Sequence, residues 1–185
     1  MPDSLEILRR AFAMDGIGAP IARAGIAAIA MGESGLAPRT EASYAHTPNA
    51  RIKAIFPSRL GHLGDDDLDR LKSDDAAFFD AVYGGMLGNH LVGDGYRYRG
   101  RGIIQLTGRG NYAALGRKLG VALEDNPDLA NDPETAARIA CAYVLARWDG
   151  VSWESMKRCV GNAVASTEAV KDAAFARFQH EGTFA

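Results

Sequence analysis

A chain of 185 residues, 47% of them hydrophobic, is long enough to bury a sizeable core as one domain over 1–185 and cramped for two. Its 21 lysines and arginines against 23 aspartates and glutamates, a net charge of -2, leave no electrostatic case for nucleic acid or for an anionic membrane surface. Cys141 and Cys159 form no CxxC pair, and with four scattered histidines they match no zinc spacing, so both read as core thiols and no metal is expected.

In chain order, Asp3 with Glu6 predicts a capping box for a first helix through about Met14, ended by Gly16 and Gly18. Asp3, Glu6 and Asp15 interrupt any export-signal core, Arg23 breaks the alanine-rich stretch beyond, and no run reaches the ~18 apolar residues of a membrane span. Synthesis in the cytoplasm without a signal peptide is therefore expected, with no membrane insertion; an extracytoplasmic substrate would need a separate export route such as a holin.

Residues 21–35, IARAGIAAIAMGESG, predict a second helix so rich in alanine and isoleucine that most of its circumference must be buried. Glu33 stands at its end, before a Gly35 cap. Apolar neighbours and the negative end of the helix dipole both favour a protonated carboxyl there, which suits a general acid. From the helix alone, an exposed last-turn glutamate is the plainer reading. Pro38 then keeps LAPRTEASY, which carries Glu41 and Tyr44, from continuing the helix.

The segment DDDLDRLKSDD reads as a charged, solvated patch. It is no calcium loop: with Asp65, Asp67 and Asp69 at the first, third and fifth positions, Arg70 falls where glycine belongs and Ala76 where glutamate belongs. Residues 90–97, including GDG, read as a loop. Then comes YRGRGIIQLTGRGNY, residues 98–112. If 103–107 are extended, Ile104 and Leu106 face a core while Ile103, Gln105 and Thr107 share the opposite, groove-facing side. Gly100, Gly102, Gly108 and Gly110 would let a ligand approach the backbone, and Arg99, Arg101 and Arg109 are donor forks able to orient a carboxylate. A glycine-rich surface hairpin whose arginines merely meet solvent is the bland alternative. Beyond it, Asn111 predicts the cap of a helix through Leu119 that Gly120 ends, and Asp132 with Pro133 opens a helix to about 148. The tail reads as two helices joined around GNAVAS.

Taken together these segments resemble glycoside hydrolase family 19, the chitinases and the phage or bacterial endolysins. Tyr98, Arg99, Gly100, Arg101, Gly102, Gln105, Leu106, Thr107, Gly108, Arg109, Asn111 and Tyr112 fall in register with the family's YRGRG, QLTGR and NY signature. Ile103 stands where many members carry proline, and TGR before NY is similar to the endolysin branch. ESG after an apolar helix resembles the catalytic-acid motif, and Glu41 is similar to the second acidic position, with one residue fewer than the commonest endolysin spacing before Tyr44. The FP-x-R element within 51–60, the helix ending in YGG within 76–89, and NPDLANDPE are also similar. Asn162 is the nearest match to a sugar-binding asparagine of an NGG-type turn. The resemblance covers about residues 20–178.

It implies a mainly α, lysozyme-like domain of two lobes flanking a substrate groove, with Glu33 on one wall and residues 98–112 on the other. The implied activity is hydrolysis of β-1,4 bonds between N-acetylated sugars, in bacterial peptidoglycan as an endolysin or muramidase. Chitin is the near alternative, and a catalytically silent sugar-binding or structural protein is the alternative of another class. Glu33 would protonate the leaving oxygen and Glu41 would activate water from the other face, the two standing ~6.5–9.5 Å apart in an inverting enzyme. Thr107 would help hold that water, while Tyr44, Arg101, Gln105, Asn111, Tyr112 and Asn162 would position sugar. No cofactor is expected, because acid and base carboxylates suffice, and glycan strands are the expected partner of a monomer.

Overall fold

The computed structural model describes residues 3–160 and 165–184, and its regular structure is almost entirely helical. Helix α1 (Ser4–Met14) starts at Asp3, whose side chain accepts from the Leu5 N–H, while Glu6 pairs with Arg9 instead of completing a capping box. Helix α2 (Pro20–Ser34) opens on proline and stops at Gly35, where φ is 64°, a conformation that glycine adopts without strain. No described helix is long and apolar enough to cross a membrane.

Four short helices follow, α3 (Asn49–Ile55), α4 (Pro57–Leu60), α5 (Asp65–Lys72) and α6 (Asp75–Tyr83). They close over a small core of Ile52, Leu60, Leu68, Phe78, Phe79 and Val82, against which Tyr44 and Phe56 pack. The acidic run forms α5; its charges pair at the surface, as in Lys53–Asp65 and Lys72–Asp69, while Leu68 anchors it inside. Arg59 of α4 donates to the carbonyls of Ala81 and Gly84, tying down the end of α6.

The chain then returns through α7 (Asp94–Arg97), within a segment expected to be loop, and α8 (Arg109–Leu119), α9 (Pro133–Leu145), α10 (Trp153–Lys157) and α11 (Ala165–His180). Asp132 caps α9 by accepting from the Thr135 N–H, and α9 ends at Leu145, about three residues short of expectation. The cap of α8 is Gly108, so Asn111 lies in the first turn and not at the cap. Helices α1, α9, α10 and α11 pack against α2 in a larger core, where Ile26 through Ala30 have no exposed surface, while α8 packs on α9 and α7 on α6. Both cysteines are free and buried, and burial pushes the Cys141 thiol up to about 12. The two cores are the two lobes expected of the domain.

One ion pair staples the start of α7 to α8. Asp94, 2% exposed, takes a two-pronged bond from Arg109, 2.7 and 3.0 Å, and accepts from the N–H groups of His90 and Leu91. The Arg109 guanidinium, assisted by those N–H groups, holds the Asp94 carboxyl well below the usual carboxylate range. A depressed folded-state pKa contributes stability above the unfolded value, near 3.9, that is lost as pH falls through the folded one. Asp94→Asn is therefore expected to cost ~3–5 kcal/mol in denaturant melts at pH 7, with the deficit narrowing progressively below about pH 4.

Candidate active site

The stretch 98–112 forms a tight hairpin and not a strand. Arg101 and Leu106 exchange both backbone bonds, 3.1 and 2.8 Å, closing a turn over residues 102–105. Gln105 has φ 53°, which rules out the extended run expected for 103–107. Its side chain holds that turn, the carboxamide donating to the carbonyls of Arg39 (2.9 Å) and Gly102 (3.1 Å). Ile104 and Leu106 are buried as expected, but so is Ile103, because a turn does not alternate faces. Thr107 and Gln105 remain partly exposed, and the Thr107 hydroxyl donates to the Gln105 carbonyl at 3.0 Å.

The chain leaving α2 runs alongside this hairpin. Arg39 N–H donates to Gly102 O and Glu41 N–H to Gly100 O, so residues 39–41 are laid against 100–102. Asn131 locks the arrangement, donating to Thr40 Oγ1 and accepting from Gly102 N–H. A Cβ on Gly100 would stand 2.9 Å from Gln105 Oε1 and 3.1 Å from Glu41 Oε2, so both side-chain ends would have to shift to admit one. The Glu41 carboxyl and the Gln105 carboxamide thus share the space over one glycine.

Three donors converge on Glu41. The Tyr44 hydroxyl donates to Oε1 at 3.2 Å, the Tyr83 hydroxyl lies 3.0 and 3.2 Å from the two oxygens, and Gly100 N–H donates to Oε2 at 3.1 Å. Burial, and then the Glu41 charge, push both phenols well above the usual tyrosine range, so they stay donors throughout the working pH range. A carboxylate has about four acceptor sites, so three donors leave room for one more. Tyr83 was not among the site residues read from sequence; the YGG at the end of its helix was its signal.

Glu33 is not an isolated carboxyl among apolar neighbours. Its Oε1 lies 2.5 Å from the Nζ of Lys171, which is 1% exposed, while the Glu33 side chain is 24% exposed. Arg39 donates to the Glu33 backbone carbonyl at 3.1 Å, satisfying a free end of α2 and linking it to the strip that carries Glu41.

Other expected sugar contacts fall elsewhere. Arg101 is 5% exposed, its guanidinium spent on Asp128 and on the carbonyls of Arg97 and Arg99. Tyr112 has no exposed surface; its hydroxyl donates to Arg99 O, and burial pushes it up to about 12. Both brace the hairpin from inside and cannot meet a sugar there. Arg109 is committed to Asp94 and Glu124, and Arg99 lies over the Tyr96 ring. Tyr44 is wedged among Phe56, Phe78 and Phe79, reaching the site through its hydroxyl. Asn111 is partly exposed and donates to Thr107 O at 2.8 Å. Asn162 lies outside the described residues. The hairpin packs into the same core as α2, while Tyr44 and Tyr83 pack against the core of the smaller lobe. A larger cavity, about 470 Å³, lies behind the hairpin between Ile7, Leu36, Pro38 and Ile103. Its acidic groups are already engaged, Asp132 as a cap and Glu134 with Arg10, so it offers no free acid or base.

A family model for class I chitinases matches residues 73–178, more than half of the chain. The chain belongs to glycoside hydrolase family 19. The family 19 match spans Tyr83, the hairpin and most of α11, and begins after Glu33 and Glu41. A Haemophilus influenzae relative, a glycosyl hydrolase family 19 domain-containing protein, is 42% identical over 64 residues, which cover 34% of this chain and 32% of that one. The chain thus matches about a third of that relative's length. A crystal structure of a bacterial family 19 chitinase superposes with a TM-score of 0.52 at 19% identity, covering 96% of this chain and 83% of the other, and shows that the fold is shared.

Proposed function

We propose that this family 19 chain hydrolyses the β-1,4 bond between N-acetylated sugars of bacterial peptidoglycan, as an endolysin-type muramidase, by acid and base catalysis with inversion. The observation that carries the reading is the cradle of three donors around Glu41, which leaves one acceptor site. A carboxylate so held can orient a water and take its proton without itself swinging away. Glu33, partly exposed at the end of α2, is the acid that protonates the leaving oxygen. Thr107 is bonded to the Gln105 carbonyl and Asn111 to the Thr107 carbonyl; in this reading the hydroxyl helps hold the water and the amide meets sugar, while Gln105 contributes the oxygen of its carboxamide beside Glu41.

The matched class I chitinase model and the chitinase of like fold favour chitin as a second substrate. Digestion of purified Gram-negative peptidoglycan and of chitin oligomers, followed by mass spectrometry, decides between them. Muropeptides ending in reducing muramic acid are expected. Reducing glucosamine ends would make the protein a glucosaminidase, anhydro ends would remove hydrolysis altogether, and release from chitin alone would reassign the substrate.

A further inference from the structure

Three of the four residues 85–88 take positive φ: Gly85 at 72°, Leu87 at 53° and Gly88 at 81°. Glycine adopts that conformation freely and leucine only under strain, so the leucine is kept at 87 for its side chain and against its backbone preference. That side chain does not fill a core. Leu87 is 49% exposed and its neighbour Met86 43%. Backbone strain of this kind gathers at functional sites.

The turn is nonetheless held firmly. Met86 N–H donates to the Tyr83 carbonyl, Asn89 N–H to the Met86 carbonyl, and Gly110 N–H to the Leu87 carbonyl at 3.0 Å. Asn89, itself buried, donates to the Tyr83 carbonyl at 2.9 Å and accepts from Arg109 N–H at 2.8 Å. A Cβ on Gly108 would lie 2.3 Å from Leu87 Cβ, so the leucine is seated directly on the residue that follows Thr107. One end of the turn grows from Tyr83, whose hydroxyl meets Glu41, and the other rests on residues 108–110, between Thr107 and Asn111. Two apolar side chains are thus fixed in solvent at the margin of the candidate site. An N-acetylated glycan is polar except for its ring C–H faces, which flat aromatic rings cover best, and its acetyl methyl groups, which suit a hollow between flexible and branched aliphatic chains.

We propose, on the reading that the surroundings of Glu41 hold the glycan, that Met86 and Leu87 form an apolar shelf that binds the N-acetyl methyl group of a sugar beside the cleaved bond. A methyl contact made alike in the ground and transition states strengthens binding and leaves turnover unchanged. Removing one methyl group from water is worth about fourfold in affinity, which sets the scale for each side chain.

The test uses the full chain and soluble peptidoglycan strands, either intact or partly stripped of acetyl groups. Leu87→Asn removes the apolar branch and supplies a residue that tolerates positive φ, while Met86→Ser removes the neighbouring chain. On intact strands each variant is expected to raise KM ~3–10-fold with kcat within about twofold of the wild type. On partly stripped strands the KM ratio of Leu87→Asn to wild type is expected to shrink, because the wild type has lost the group its shelf binds. Leu87→Asn should melt at or above the wild type, since the strain at residue 87 is relieved. An unchanged KM in Leu87→Asn overturns the proposal. So does a KM ratio that is equally large on stripped strands, or a Leu87→Asn protein melting well below the wild type, which would make the leucine structural. If the wild type cleaved chitin oligomers alone, the same ratios would be read on those oligomers and their partly stripped forms. If it cleaved neither polymer, the hydrolase reading would fail while Kd values from calorimetry on uncleaved strands still decided the shelf, so the two failures are distinguishable.

Discussion

Glutamine in place of Glu33 is expected to abolish cleavage of peptidoglycan, lowering kcat by ~10²–10⁴-fold. The side chain keeps its size and can still donate a hydrogen bond, but an amide cannot release a proton to a leaving alkoxide. Substrate binding should persist, so KM is expected to change little. The substitution also leaves Lys171 buried opposite a neutral group, so turnover must be read well below the lowered melting temperature. Turbidity loss on permeabilised Gram-negative cells and reducing-end release measure the same quantity by independent routes. Residual activity above about a tenth of wild type, a barrier change under ~1.4 kcal/mol, would mean that another group donates the proton.

Glu41→Gln is the second large effect, and its signature differs. The base is lost and the cradle is spoiled, because an amide offers one acceptor oxygen where two phenols and the Gly100 N–H converge. Turnover is again expected to fall ~10²–10⁴-fold. Azide is a nucleophile that requires no deprotonation, so adding it should restore turnover to Glu41→Gln with a glycosyl azide as product, and restore none to Glu33→Gln. Rescue of both variants, or of neither, would show that the two carboxyls do not divide the work as acid and base.

The local features were legible in the sequence because their physics is local. Asp3 and Asp132 cap helices through bonds to N–H groups two or three residues on, and Gly35 and Gly120 end helices by taking positive φ. The burial of α2 follows from its composition, and the burial of both thiols from their unpaired spacing. The density of the 98–112 motif was likewise enough to indicate the family that residues 73–178 show. What composition and periodicity settle is where the longer helices start and which of them are buried; the short α7, the end of α9 and the turn at 102–105 they did not give.

Tertiary structure alone decided how each polar side chain is spent. Glu41 meets Tyr83 from 42 positions away and Gly100 from 59, and Glu33 meets Lys171 from a different helix; no spacing rule in the chain encodes such pairs. Arg101 and Tyr112 belong to the motif as visibly as Gln105 and Thr107, yet the closed turn buries the first two against backbone carbonyls and leaves the other two partly exposed. The turn itself was hidden because an apolar pair beside a glutamine fits a strand equally well. Only the paired backbone of Arg101 and Leu106, with the Gln105 carboxamide bonded across to Arg39, makes the positive φ at Gln105 the favoured conformation. Side-chain hydrogen bonds go to whichever partner the packed core brings within about 3 Å, and that is fixed only when the helices have closed around them.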